Sequence, residues 1–207
     1  MVDLLFGTSG WSYAGWVGPF YDKETRMLSH YSRVFRTVEI NSTFYRYPTK
    51  SQIYGYYRTS PEGFVFSVKL PKVITHKKKL SLDLSWESDL HRFLDLLDML
   101  QRADKLGAIL VQLPPSFIYE KHRENLASFL EALPEGYEFA VEFRDESWLR
   151  NDIWKLLSKH NVAYTIVDEP LLPPEVHVTA DFAYFRWHGR GTRPWYNYHY
   201  SRKELKE

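Results

Sequence analysis

Two carboxylates, an imidazole and several cations stand near the ends of short apolar runs in this chain, where side chains can converge on one ligand. Glu39 ends one run with Asn41 two residues on, and Glu142 ends another with Arg144 two residues on. Paired carboxylates across a cleft are what glycoside hydrolysis requires, one as acid and one as nucleophile or base. An arginine beside a carboxylate keeps it ionised, which suits a nucleophile better than an acid. His188, two residues after Arg186, is the candidate auxiliary base, and Gly189 and Gly191 let the backbone approach a ligand closely. Lys69, His76, Arg46, Arg144, Arg186 and Arg190 form a cationic set able to clamp a phosphate, carboxylate or phosphodiester. Loop aromatics Trp11, Tyr13, Trp16, Tyr45, Trp148, Trp195 and Tyr196 offer faces for stacking on sugar rings.

Each assignment has a plainer counterpart. Glu39, Glu142, Arg144 and Arg186 also fit a buried ion network that only fills the fold, because buried charges must be paired with or without catalysis. Glu142, Asp168 and His188 are the alternative set for a divalent cation, although Arg144 and Arg186 on the same faces would repel one. Lys69 alone could attack a carbonyl as a desolvated amine. The run Lys77-Lys78-Lys79 reads first as a solvated loop and second as a contact for a nucleic acid backbone. Gly7-Thr8-Ser9-Gly10 supplies backbone N–H groups for an anion, but with no helix clearly following, Ser9 is set aside as a nucleophile.

The elements that would position these groups are seven short apolar segments: residues 4–9, 37–41, 64–69, 108–112, 139–144, 162–168 and 182–188. Between them lie helical patterns: Met27, Leu28, Tyr31, Val34 and Phe35; Leu90, Phe93, Leu94, Leu97 and Leu100; Leu126, Phe129, Leu130 and Leu133; Trp148, Ile153, Trp154, Leu156 and Leu157. Ser85 reads as a helix start, and Gly107 as a stop. Strict strand–helix alternation implies parallel crossovers, and no Gly-rich phosphate fingerprint follows the first strand. The expected fold is therefore α/β, a TIM-type (β/α) barrel of seven parallel strands in one domain over residues 1–207, with the site at the strand C-termini. Side-chain alternation puts Thr37, Glu39 and Asn41 on one face, likewise Ser67 with Lys69, Ala140 with Glu142 and Arg144, and Tyr184 with Arg186 and His188. Their bulky neighbours, Phe185 and Trp187 among them, are expected against helices. Gln112 and Asp168 fit the polar ring less cleanly, because their faces also carry Leu110, Ile166 and Tyr164.

The chain has 207 residues, 27 basic against 26 acidic, no cysteine, and 17% aromatic residues including seven Trp and fifteen Tyr. Lack of cysteine excludes disulfides, thiolate metal sites and cysteine nucleophiles. A net charge of +1 gives no global attraction for nucleic acid or membrane, so affinity for phosphate must be local. No apolar run approaches the roughly 20 residues of a membrane span, and a soluble cytoplasmic protein is expected.

Six motifs run in order along the chain: GTSGWSYAGWVGPFY (7–21), TVEINSTFYRYP (37–48), FVFSVKLPKVITHKKKL (64–80), VQLPPSF (111–117), AVEFRDESW (140–148) and YFRWHGR (184–190). In combination they resemble the YecE-like family, known as domain of unknown function 72. The resemblance implies a TIM-type barrel and no settled activity. It also implies a further helix and strand beyond the YSRKELKE segment, so the eighth strand is expected to be absent from this chain. Loop cover or a homodimer contact is then expected at the open edge.

The resulting expectation is a hydrolase of a sugar- or phosphate-containing substrate. Glu39, Glu142 and His188 would be catalytic, and Asn41, Tyr45, Arg46, Lys69, His76, Gln112, Arg144, Trp148, Asp168 and Arg186 would bind substrate. No cofactor is called for, with a divalent metal as the alternative. The competing readings are a non-catalytic protein for nucleic acid or another anionic ligand, and a metal-dependent phosphodiesterase.

Overall fold

The computed structural model describes residues 3–192 and 197–206. It is α/β, but its described residues form six parallel strands, not seven, and the expected seven-strand barrel is corrected accordingly. The strands are β1 (Thr37–Ile40), β2 (Val65–Lys69), β3 (Leu106–Gln112), β4 (Phe139–Glu142), β5 (Ala163–Asp168) and β6 (Tyr184–Trp187). The helices are α1 (Met27–Val34), α2 (Ser42–Tyr45), α3 (Lys50–Thr59), α4 (Trp86–Arg102), α5 (Tyr119–Glu131) and α6 (Asn151–Lys159), and a π turn spans Val73–Lys77.

The segment expected as the first strand, residues 4–9, makes only an isolated bridge from Ser9 to Glu39. Thr8 N–H donates to the Tyr31 hydroxyl at 2.8 Å instead of to a strand. Leu4 and Phe6 are 65% and 63% exposed, so a ladder here would bury little apolar surface to offset the ordering of the backbone. Gly7 is required by close approach, since a Cβ there would lie 2.2 Å from the Thr37 carbonyl oxygen.

The chain gathers into two compact units, Met1–Leu110 with Pro134–Glu138, and Val111–Leu133 with Phe139–Glu207. In the first, β1 pairs with β2 (Glu39 opposite Ser67) and β2 with β3. Leu90, Phe93, Leu94, Leu97 and Leu100 form the buried stripe of α4, as their spacing predicts. That helix stops at Arg102, not at Gly107, with Asp104 at φ 53°. Gly107 instead lies inside β3, where a Cβ would meet Val65 at 2.6 Å. Helix α3 starts in a capping box between Thr49 and Gln52. Beyond its far end, Lys105 Nζ donates to the Ser60 carbonyl (2.6 Å), the Ser60 hydroxyl (2.8 Å) and the Pro61 carbonyl (2.9 Å).

In the second unit β5 pairs with β4 and with β6. Trp148 is fully buried, stacked on Phe143 and Phe117 with ring centroids 5.0 and 5.2 Å away. Tyr164 of β5 packs on Trp154 of α6 at 4.5 Å, which covers that face of the strand. On β6 the expected cover is lacking: Phe185 and Trp187 are 48% and 55% exposed.

Candidate functional site: a buried carboxylate between two arginines

Residues at the C-terminal ends of four strands meet in the second unit. Glu142 is the last residue of β4, and its side chain is fully buried. Arg186 Nη1 donates to its Oε2 at 2.6 Å, Gln112 Nε2 to its Oε1 at 2.7 Å, and Arg144 Nη2 also binds Oε1. Burial alone would raise this carboxyl's pKa, but the Arg186 and Arg144 guanidiniums outweigh it and hold the group well below the usual carboxylate range. Glu142 is therefore a fixed anion that orients two cations.

Arg144 bridges onward through Nη1 to Glu169, whose side chain is also almost fully buried. Here burial, opposed by Arg144 and assisted by the neighbouring Glu142 charge, leaves the carboxyl raised above its ordinary value. His188 Nε2 lies 3.1 Å from Arg144 Nη2 and 3.3 Å from Arg186 Nη1. The same nitrogen lies 3.5 Å from Glu142 Oε1, so it accepts from the guanidiniums in one tautomer and donates to the carboxylate in the other. Side-chain exposure separates the groups into two layers: Glu142 and Glu169 at 0% and 1%, against Arg186, Arg144 and His188 at 11%, 17% and 19%. The carboxylates lie behind and the donors in front. Arg144 Nε is buried with no hydrogen-bond partner among the described residues.

Glu142, Arg144, Arg186, His188 and Gln112 are thus brought together. Asp168 is not among them: Arg190 grips it in a two-pronged ion pair, with Nε and Nη2 at 2.9 and 2.7 Å. The proposed cation set of Glu142, Asp168 and His188 does not assemble, and no group of three acidic or histidine ligands does so among the described residues. Trp148, expected to bind substrate, is core. Trp195 and Tyr196 lie outside the described residues.

The remaining candidates belong to the first unit. Glu39 accepts from Ser9 Oγ at 2.8 Å, and Asn41 Nδ2 donates to the same hydroxyl. Lys69 Nζ sits 4.3 Å above the Phe44 ring, which also meets His76 edge-on at 4.9 Å. Burial first, then Lys69 and Lys72, lower the His76 pKa to about 4, so its ring is neutral at pH 7. Tyr45 is 71% exposed and Arg46 is exposed.

Glu169 escaped the sequence reading, although a signal for it was present. Asp168 shares its strand face with Tyr164 and Ile166, which pack outward; the alternate face carries Thr165, Val167 and, one step on, Glu169. Parity alone would have exchanged Asp168 for its neighbour.

A parallel-stranded α/β protein with an arginine-framed carboxylate at its strand ends is the class that fold and site define. The chain belongs to the family described as "Protein of unknown function DUF72", which matches residues 5–207. It is 35% identical to a DUF72 family protein of Thermotoga maritima MSB8, covering 98% of this chain and 83% of that one, with a TM-score of 0.85. A DUF72 family protein of Enterococcus faecalis V583 shares the fold at 23% identity and a TM-score of 0.74, covering 98% and 81%. UPF0759 protein YunF of Bacillus subtilis (strain 168) is 23% identical over 228 residues, 99% of this chain and 81% of that protein. No helix among the described residues is long and apolar enough to cross a membrane.

Proposed function

We propose that the second unit binds an anionic, phosphate-bearing ligand at the face formed by Arg144, Arg186 and His188. One observation carries this reading: the accessible edge of the cluster consists of two guanidiniums and an imidazole, while both carboxylates are buried behind it. Glu142 acts as a positioning residue. It fixes two guanidiniums before the ligand arrives, so little side-chain entropy remains to be lost on binding. The buried, unpartnered Arg144 Nε supports the same reading, since a small shift of that side chain would give the donor an acceptor.

A second reading, hydrolysis of the bound ester, is favoured by the divergence of two carboxyls. Glu142 is held ionised while Glu169 is pushed toward its protonated form, the separation that distinguishes base from acid in paired sites. In that case water attacks the ester's phosphorus and gives its proton to His188, while Glu169 protonates the departing alcohol oxygen as the P–O bond breaks.

Isothermal calorimetry with inorganic phosphate and phosphate monoesters tests the proposal. Binding to the native state should also raise the unfolding free energy, by about 2.7 kcal/mol at a hundredfold excess over Kd. His188→Phe, which removes the imidazole nitrogens and keeps a ring, should weaken binding about tenfold. Equal affinity in that variant, or no phosphate binding by the wild type, would exclude this site.

A further inference from the structure

The first unit carries a charge asymmetry that the chain's net +1 conceals. Residues 41–82 hold eight lysines and arginines against a single acid, Glu62, together with five of the fifteen tyrosines. The structure presents part of this stretch as one surface. Tyr45, at the end of α2, is the most exposed aromatic ring among the described residues. Lys72, one residue before the π turn, places its Nζ 5.6 Å from the Tyr45 ring centre. Arg46 adjoins it in the chain, and Lys77 ends the π turn, exposed. Arg46, Lys72 and Lys77 make no ion pair among the described residues.

The platform is rigid from below. Thr43 Oγ1 bridges the carbonyls of Ile40 (2.8 Å) and Lys69 (2.7 Å), fastening α2 to β2. The Phe44 ring meets Tyr45 at right angles, 5.1 Å centre to centre. Lys78 is held by Asp89 (2.7 Å) and by the Ser85 carbonyl (3.1 Å), which ties the end of the π turn to the start of α4. An exposed ring with Lys72 against it, Arg46 beside it in the chain and Lys77 at the end of the same π turn, on a backbone fixed from both sides, suits single-stranded nucleic acid held without base readout.

We propose that the α2 and π-turn face binds single-stranded nucleic acid, with Tyr45 stacking on a base and Arg46, Lys72 and Lys77 contacting successive phosphates. A membrane surface is the weaker match: this face offers one amphipathic ring and no apolar stripe to insert. The proposal goes beyond the phosphate-ligand reading, because it uses other residues in the other unit.

Fluorescence anisotropy of the full chain with a labelled oligodeoxythymidine of about 12 nucleotides tests it. Three phosphate contacts predict that log K falls with log salt with a slope of about −2. Lys72→Glu should remove about one contact from that slope, and Tyr45→Ala should weaken binding about tenfold at any salt. Tyr45 is exposed and Lys72 half-buried with no ion pair to lose, so circular dichroism should show both variants folded, and Arg46→Gln gives an independent measure of the slope. Three outcomes would overturn the proposal: oligonucleotide affinity that does not depend on salt, wild-type affinity in Lys72→Glu and Tyr45→Ala together, or binding to anionic vesicles without binding to the oligonucleotide. Cross-checks separate the two readings. His188→Phe should leave oligonucleotide binding intact, and Lys72→Glu should leave phosphate calorimetry intact. Loss of oligonucleotide binding in His188→Phe would move the nucleic acid to the other site and sink this proposal alone.

Discussion

The two units handle charge in opposite ways. In the second, Glu142, Glu169, Arg144, Arg186 and His188 form one connected network, Glu169 joining it through Arg144, largely out of water. In the first, Arg46 and Lys77 are exposed and Lys72 is half-buried, and none of the three makes an ion pair among the described residues. Charges buried together depend on one another for stability, and removing one leaves its partners stranded. Solvated cations owe the fold little and remain available to a polyanion, at an affinity set by salt. Removing a charge from the buried network should therefore damage folding, and removing one from the solvated set should change binding alone.

Glu142→Gln should give the largest effect, a loss of about 3–5 kcal/mol in urea unfolding, because two largely desolvated guanidiniums lose their fully buried counter-charge. A variant that kept wild-type stability would show that the network is not what holds those strand ends. Trp148→Ala should cost a similar amount, about 3–5 kcal/mol, by leaving a cavity beside Phe117 and Phe143. Lys105→Met should cost about 2 kcal/mol through the unmet carbonyls of Ser60 and Pro61. It would show that the first unit also has a buried charge, one held by neutral oxygens with Glu62 as the acid acting on it.

His76 sharpens the contrast through pH. Its folded pKa of about 4 lies below the ordinary histidine value near 6.5, so the unfolded chain binds the extra proton first. Its contribution to stability is complete above about pH 6.5 and is lost as pH falls toward 4. His76→Gln should flatten the urea midpoint over that window, and an unchanged slope would place the titration elsewhere. The smallest effect is expected at Tyr45→Ala, within about 0.5 kcal/mol of wild type in the same unfolding assay.

Much of this was legible in the residues. The spacing of Leu90 to Leu100 and of Leu126 to Leu130 located α4 and α5, and alternation placed Glu142 with Arg144 and Arg186 with His188. Six of the seven expected strands form. The failure at residues 4–9 is instructive: that run is as apolar as the others, but a strand needs a neighbour to pair with and a surface to cover, and neither requirement is written locally. The same holds for β6, whose alternation is regular while Phe185 and Trp187 stay half exposed. Glu169 stands one residue beyond the polar end of β5, where only the parity of Thr165 and Val167 marks it as inward-facing.

Periodicity, parity and local charge are properties of neighbouring residues, so the sequence by itself determined the helices, most strands, the inward set around Glu142 and the basic stretch from Arg46 to Lys79. Tertiary structure decided which charges lose water and which keep it. Burial of Glu142 behind Arg144 and Arg186, the lowered pKa of His76 and the exposure of Tyr45 depend on groups far apart in the chain. Desolvation is a property of an assembled environment, and no window of sequence contains it.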